Sequence, residues 1–513
     1  MIKFYGSRES LIFKLKKLFH TMEIIDYYKI DNLSASISLI DDSKLSLYIR
    51  QIQEAPRSMS VRNPFNTVYS IETIINDEGL SEVFLHTLKR SFLSYSEIEL
   101  EAIVNDMPLL NKYANKYKGA FNDVALIWRD HFVEDSLGLL QNFVNMGLDP
   151  SLTLVFDKGD KTLHRKEVWE TFEEIGFGVH KLDNAMFNQK SKSSETETLE
   201  VKELLDNFIN QANRKGKKII IMDDGAFITN FFSNNTSKLH GIIELTEMGL
   251  RRITNSNINV QCPIINAAKS DLKRHITYPE IGAACTFKIL QLLGSEKIIG
   301  RRILILGYGD AGKNICKNFK GLGVNVSVVD PDYFKLILAA EDGFNTYDNV
   351  TEAIFKEQPF LVVGASGYPS ITEDDISLLP NNSFITTVAT ADLTVLKNKS
   401  FQKIKKITVP KYGTQYITDK KTFTLLGNGR SINLFEGESI PTKGIDLFKS
   451  SILLSAILLI EQKQKLEFGL NKAVLNQWLE ENEVFKEYYN LYYKKDIVEN
   501  IKGNNYSAME VIK

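Results

Sequence analysis

Arg302-Ile-Leu-Ile-Leu-Gly307-Tyr-Gly309-Asp310-Ala311-Gly312-Lys313, continued after twelve residues by Val326-Ser-Val-Val-Asp330, fixes how the rest of the chain is read. The apolar run Ile303 to Leu306 predicts a buried strand. Gly307, Gly309 and Gly312 then form G-x-G-x-x-G, one glycine each for a tight turn, close approach of backbone to a pyrophosphate, and close packing of helix on strand. The helix that begins at Asp310-Ala311-Gly312 would offer free N–H groups and positive dipole to phosphate. A second strand, Val326 to Val329, ends at Asp330, where a ribose 2′-OH requires an acceptor. Strand, glycine turn, helix and acid together predict dinucleotide binding; the bland alternative is a glycine-rich turn that binds nothing. With no arginine nearby, Asp330 favours NAD over NADP, because a 2′-phosphate would be repelled.

The 513 residues predict two to four domains. A hydrophobic content of 43%, a charged content of 25% and a net charge of -2 describe an ordinary globular protein, with no electrostatic reason to expect nucleic acid as partner. The three cysteines, Cys262, Cys285 and Cys316, have no metal spacing and cannot form a disulfide framework. The seven histidines include no H-E-x-x-H, so no metal is expected. The first residues lack the apolar core of a signal peptide. Ile452 to Ile460, flanked by Lys449 and Glu461, is too short to span a bilayer and reads as a buried helix. The expectation is a cytoplasmic protein without membrane contact.

Residues 1–92 combine an amphipathic helix (Leu11, Ile12, Leu15, Leu18, Phe19) with alternating segments such as Leu33 to Leu39, and carry no recognisable chemistry. A helical segment from Tyr95 breaks near Pro108. Strands are expected at Val124 to Trp128, Leu152 to Phe156, Gly178 to Lys181 and Lys218 to Met222, with helices between them. Asn188 to Thr198 reads as a polar loop. Beyond Asp330, strands at Phe360 to Val363 and Ser383 to Val388 end in small residues, where a nicotinamide ring or an ordinary tight turn would fit equally. From Lys443 the chain reads as mostly helical, and its aromatic stripe (Trp478, Phe485, Tyr488, Tyr489, Tyr492) as helix packing or a contact between protomers. This pattern predicts an α/β protein with two Rossmann-like, doubly wound parallel-sheet domains, an N-terminal extension and C-terminal helices.

Several segments resemble S-adenosylhomocysteine hydrolase. Gly307-Tyr-Gly-Asp-Ala-Gly-Lys313 is similar to that family's GYGDVGK, and Ile221-Met-Asp-Asp224-Gly-Ala-Phe-Ile-Thr229 to its ILDDGGDLT. Asn105-Asp-Met-Pro108 resembles NEMP, His131-Phe-Val resembles HMT, and Gly429-Arg-Ser-Ile-Asn433-Leu resembles GRLVNL. Order and spacing agree over roughly residues 95 to 460. The resemblance implies an extension of unknown role (1–92), a substrate domain (93–285), an NAD domain (286–440) and a C-terminal region (441–513) returning to the substrate domain. It implies that NAD oxidises the ribose 3′-OH to a ketone, that the thiol is eliminated from C5′, that water adds, and that the ketone is reduced again. It places His131 on the histidine that handles protons at the 5′ side, Asp224 on the active-site aspartate and Lys273 on the lysine beside the 3′-OH. Thr246, Asp330 and Asn433 fall on NAD-contacting positions. Members of the family associate, so a homo-oligomer is implied.

The departures lie in the same region. The family's SEETTTG is here Ile243-Glu-Leu245-Thr246-Glu247-Met248-Gly249, so the glutamate that would accept from ribose hydroxyls is Leu245. The aspartate and asparagine expected near Lys273 are Thr277 and Tyr278; two histidines are Thr390, although Asp392 remains, and Ile440 before Pro441. The family's terminal KPDHYRY has no counterpart in 502–513. An unpartnered buried hydroxyl costs about 1–3 kcal/mol, and a lost acid or base about two to four orders of magnitude in rate. Glu244, Glu247 or Glu280 are the substitutes in reach by sequence. Three readings follow: a diverged enzyme oxidising an alcohol on another nucleoside-like or thioether substrate, the family's own hydrolysis, or a non-catalytic NAD-binding partner or sensor. A simple secondary-alcohol dehydrogenase is disfavoured by the upstream similarity.

Overall fold

The computed structural model describes the chain except residues 1, 6, 32, 53–67, 76–78, 184–191, 233–235, 256–259, 390, 472 and 495–513. Three sheets organise it. The first comprises β1 (Ile2–Tyr5), β2 (Ile25–Ile30), β3 (Ser34–Leu39), β4 (Lys44–Ile52) and β5 (Val68–Ile75), antiparallel in the order 1-5-4-3-2. Its alternating strands bury Ile37, Leu45, Leu47 and Ile71 against Leu11, Leu15 and Phe19 of the Arg8–Thr21 helix.

The second sheet is built from β6 (Val124–Asp130), β7 (Thr153–Asp157), β8 (Gly178–Lys181), β9 (Lys218–Asp223), β10 (Gly241–Glu244) and β11 (Pro263–Asn266). A strand from the C-terminal region, Gly469–Asn471, pairs parallel with β11 and completes the sheet at that edge. The C-terminal region, mostly helical as its sequence suggests, thus also supplies a strand that the sequence does not announce; the run is only three residues, too short to carry a strand signal. The polar stretch before Val201 is a second difference. Residues 188–191 lie outside the described residues, but from Lys192 the chain is helical to Arg214, because a solvated helix needs an apolar stripe only where it meets the sheet (Val201, Leu205, Phe208, Ile209).

The third sheet contains β12 (Arg302–Leu306), β13 (Asn325–Val329), β14 (Asn345–Tyr347), β15 (Leu361–Gly364), β16 (Ser383–Thr387), β17 (Lys405–Val409), β18 (Gly413–Ile417) and β19 (Thr422–Leu426). It runs 14-13-12-15-16-19-18-17, parallel through β19, with β18 and β17 antiparallel at one edge. Parallel strands covered on both faces are apolar throughout, hence the continuous Ile303 to Leu306 and Leu361 to Val363 runs.

Helices tie the two parallel sheets together. Thr442–Gln462 is buried from Gly444 to Leu459, with Asp446 and Lys449 enclosed among its apolar side chains. Of the aromatic stripe, Trp478, Phe485, Tyr488 and Tyr492 pack on that core, while Tyr489 is exposed. No helix among the described residues is long and apolar enough to cross a membrane.

Both parallel sheets reverse their winding once, between β6 and β9 in one and between β12 and β15 in the other. Ligands of such sheets bind outside the carboxyl ends of the strands at those reversals. Here both reversals open on the same cleft.

Candidate functional site

The cleft has a volume of about 820 Å³. One wall is the glycine turn. Gly307 has φ +106°, and a Cβ there would lie 2.7 Å from the Ser366 Cα, so only glycine permits this approach of the turns after β12 and β15. A Cβ on Gly312 would lie 2.0 Å from the Gly307 carbonyl oxygen. Gly309 differs: a Cβ there would meet nothing within 4 Å and would project into open space before the Asp310–Gly321 helix, whose first turn has no side-chain cap. Gly309, Asp310 and Ala311 line the cleft, and the open cradle with free N–H groups fits a pyrophosphate.

Asp330 is buried at the end of β13. One carboxylate oxygen accepts the Tyr308 N–H (2.7 Å), the other the Asp332 N–H (3.0 Å), and Lys335 Nζ stands 3.6 Å away. A lysine that the sequence did not single out thus pairs with the acid. Asn433 lines the cleft and donates to the Ser439 carbonyl at 3.5 Å. Thr246 also lines it, but its N–H and hydroxyl both donate to Glu244 (2.8 and 2.9 Å).

The opposite wall is formed by the carboxyl ends of β6, β7, β9 and β10. His131 follows β6 and Asp224 follows β9. His131 Nδ1 lies 2.7 Å from an Asp160 carboxylate oxygen, which makes it the donor to that acid and leaves Nε2 directed at Lys158 (3.3 Å) and Asp224 (3.7 Å). Lys158 Nζ also pairs with Asp224 at 2.6 Å. Burial alone would raise the Asp224 carboxyl, but Lys158, His131 and Lys273 together hold it well below the usual carboxylate range. Burial likewise works against ionisation of Asp160, and His131 and Lys158 outweigh it. Asp130, His131 and Asp224 offer ligand atoms within 4.8 Å of one another. The Lys158 ammonium already stands between His131 and Asp224, where a metal ion would be repelled.

Lys273 opens a π-helical turn, Lys273–Thr277, of the kind that re-aims side chains at functional sites. Its ammonium donates to the Leu245 carbonyl and lies 4.4 Å from the centre of the Phe448 ring. Burial pushes it down, against the pull of Asp224, Asp130 and Glu244. Lys449, from the Thr442–Gln462 helix, is held between Asp130 (3.2 Å) and Asp135 (3.0 Å). The positions Leu245, Thr277, Tyr278 and Ile440 all face the cleft, so this wall is apolar around Lys273.

The acids in reach by sequence go elsewhere. Glu280 packs against Gly444 and is not part of the cleft lining. Glu247 lines the cleft but pairs with Arg251 (3.1 Å). Asp392 accepts from Ser366 and Ser370 hydroxyls (2.6 and 2.7 Å) and from the Ser366 and Gly367 N–H groups, building the loop after β15 instead of facing ligand. Thr390 lies outside the described residues. Glu244 is buried on β10, opposite Asp223 on β9. Burial, then the Asp223 charge, pushes its carboxyl up to about 8.

That shift has a measurable consequence. An acid whose folded value exceeds its unfolded value of 4.5 favours the native state most below the unfolded value, and the contribution is lost as pH rises toward 8. Glu244→Gln is therefore expected to raise the thermal midpoint over wild type at pH 8.5 and to match it near pH 5. Calorimetric scans at both pH values check this, and equal midpoints at pH 8.5 would refute the buried-acid account.

Lys158, Asp160, Asp130, Asp135 and Lys449 are the groups sequence reasoning missed. Asp157-Lys158-Gly159-Asp160 directly follows the strand expected at Leu152 to Phe156, and position at the carboxyl end of a strand was the available signal.

Residues 293–439 match the family description "S-adenosyl-L-homocysteine hydrolase, NAD binding domain", and the dinucleotide domain is accordingly an NAD-binding one. The adenosylhomocysteinase of Thermotoga maritima is 24% identical over 258 residues, covering 48% of this chain and 62% of that protein. That of Sulfolobus acidocaldarius is 28% identical over 256 residues, covering 48% and 61%. The S-inosyl-L-homocysteine hydrolase of Methanopyrus kandleri is 24% identical over 265 residues, covering 50% and 62%. The chain thus spans about three fifths of the length of the curated relatives it matches. Among solved structures, a dipicolinate synthase chain from Bacillus halodurans gives a TM-score of 0.36 at 13% identity, covering 67% of this chain and 100% of that one, a likeness too distant to bear on function.

Proposed function

Because the chain is a diverged member of the S-adenosylhomocysteine hydrolase family, we propose that it is an NAD-dependent enzyme that transiently oxidises an alcohol on a nucleoside-like or thioether substrate. One observation carries the reading: the open cradle at Gly309 and the group His131, Lys158, Asp224 and Lys273 line the same cleft. Gly309, Asp310, Ala311, Asp330 and Asn433 would hold the cofactor. Bound NAD supplies an acceptor for hydride from a carbinol carbon and returns it at the end of turnover.

The chain's own residues supply the proton chemistry. Lys273 is the group placed to take the hydroxyl proton. His131, oriented by Asp160 through Nδ1, exchanges a proton at Nε2. Lys158 fixes the Asp224 carboxylate in its ionised form, ready to accept a proton from carbon. Leu245 and Ile440 offer no acceptor for a vicinal diol and exclude water from the lysine instead.

The family's own reaction, hydrolysis of S-adenosylhomocysteine, is the second reading, and the names of the matched relatives favour it. A non-catalytic NAD-binding protein is the third. Purified protein is tested by releasing its nicotinamide, measuring the redox state, and adding S-adenosylhomocysteine and a nucleoside panel. Absorbance of reduced nicotinamide on adding another nucleoside is the expected result. Consumption of S-adenosylhomocysteine would support hydrolysis, and bound NAD inert to every compound and indifferent to Lys273→Ala would overturn both enzymatic readings.

A further inference from the structure

Three lysines are buried around the cleft: Lys158, Lys273 and Lys449. Two of them are neutralised, Lys158 by Asp224 at 2.6 Å and Lys449 by Asp130 and Asp135 at 3.2 and 3.0 Å. Lys273 has no carboxylate within 4.0 Å among the described residues; the one hydrogen bond of its ammonium there is to the Leu245 carbonyl. Its nearest neighbours are the Phe448 ring at 4.4 Å and the Tyr278 ring at 6.0 Å, while Asp224, Asp130 and Glu244 act on it only from beyond ion-pair distance. A buried ammonium without an ion-pair partner is costly, and a lysine so placed is driven toward the neutral amine.

A neutral amine in a water-poor pocket is a nucleophile toward carbonyl carbon. We infer that Lys273 is a carbonyl-capturing residue, which condenses with a ketone or aldehyde in the cleft to form an imine. The Nζ lone pair attacks the carbonyl carbon; the carbonyl oxygen then departs as water, taking both amine protons, and a C=N bond replaces C=O. Protonated, this imine withdraws electrons more strongly than the ketone and acidifies the neighbouring C–H, with Asp224 in the same cleft to receive that proton. Hydrolysis reverses the step and returns ketone and amine. The inference rests on the proposed alcohol oxidation for the origin of the carbonyl, but the capture itself needs only a supplied ketone.

Full-length protein, as purified with its cofactor, is incubated with acetone and sodium cyanoborohydride at neutral pH and mapped by peptide mass spectrometry. An imine is reduced in place to a stable isopropyl amine. The expected result is modification of Lys273 about tenfold or more faster than exposed lysines, since an amine lowered by burial is neutral in a larger fraction of molecules. Lys158 and Lys449, each paired with a carboxylate, stay unmodified. Lys273→Arg removes the adduct, and should that variant fold poorly the wild-type map alone decides. Lys273 unmodified, or modified no faster than surface lysines, would overturn the assignment. Adduct formation does not depend on whether any alcohol reduces bound NAD, so the two readings fail separately.

Discussion

Lys449→Met is expected to lower the stability of the folded chain by about 3–5 kcal/mol, the cost of removing one partner from a buried ion cluster. The Lys449 side chain is 3% exposed, and its two carboxylate partners, on Asp130 and Asp135, are 8% and 10% exposed. Burial alone would deprive this lysine of its proton; Asp135 and Asp130 reverse that and hold it charged far above the ordinary lysine value. Without it, two like charges face each other, one at the end of β6 and one in the first turn of the Glu134–Asn145 helix. Asp130 also accepts the His131 N–H at 2.8 Å, so displacement of Asp130 misplaces His131 as well. Urea titration at pH 7 measures the loss. A variant within about 1 kcal/mol of wild type, the range of exposed pairs, would show that the cluster is solvated.

Gly312→Ala and Gly309→Ala are expected to fail in different ways. At Gly312 the added methyl meets main-chain atoms, the Gly307 carbonyl oxygen at 2.0 Å and its carbon at 3.1 Å. Neither can rotate aside, so the helix must move off the strand at about 1–3 kcal/mol or more, with loss of bound NAD. At Gly309 the methyl meets no protein atom within 4 Å. Folding should be unchanged, while NAD affinity falls about tenfold or more because the methyl stands where phosphate approaches, a loss of about 1.4 kcal/mol. Thermal melts paired with NAD titrations separate the two outcomes. Equal NAD affinity in Gly309→Ala and wild type would move the phosphate away from the turn.

Most of the parallel strands were legible as continuous apolar runs, though the short β10, β11, β14 and β19 were not read as strands; the dinucleotide turn was legible because three glycines at that spacing, between a strand and a helix, suit little besides phosphate binding. His131, Asp224 and Lys273 were reached only through resemblance; no spacing in the sequence connects them. The partners that give them their chemistry were less visible. Lys158 and Asp160 come from the end of β7, and Lys449 from a helix more than 300 positions away from Asp130. Pairing at that separation is a tertiary fact. The edge strand Gly469–Asn471 escaped for a related reason, since three residues owe their conformation to β11 more than to their own propensity.

One cleft is held to bring a pyridine nucleotide to the wall carrying His131, Asp224 and Lys273. The most direct test is a calorimetric titration of NAD into cofactor-stripped protein, with wild type and Asp330→Ala side by side. Saturable one-site binding to wild type is predicted, weakened when the ribose acceptor at the end of β13 is removed. No heat and no affinity in wild type, from a preparation that carried no nicotinamide when isolated, would contradict it.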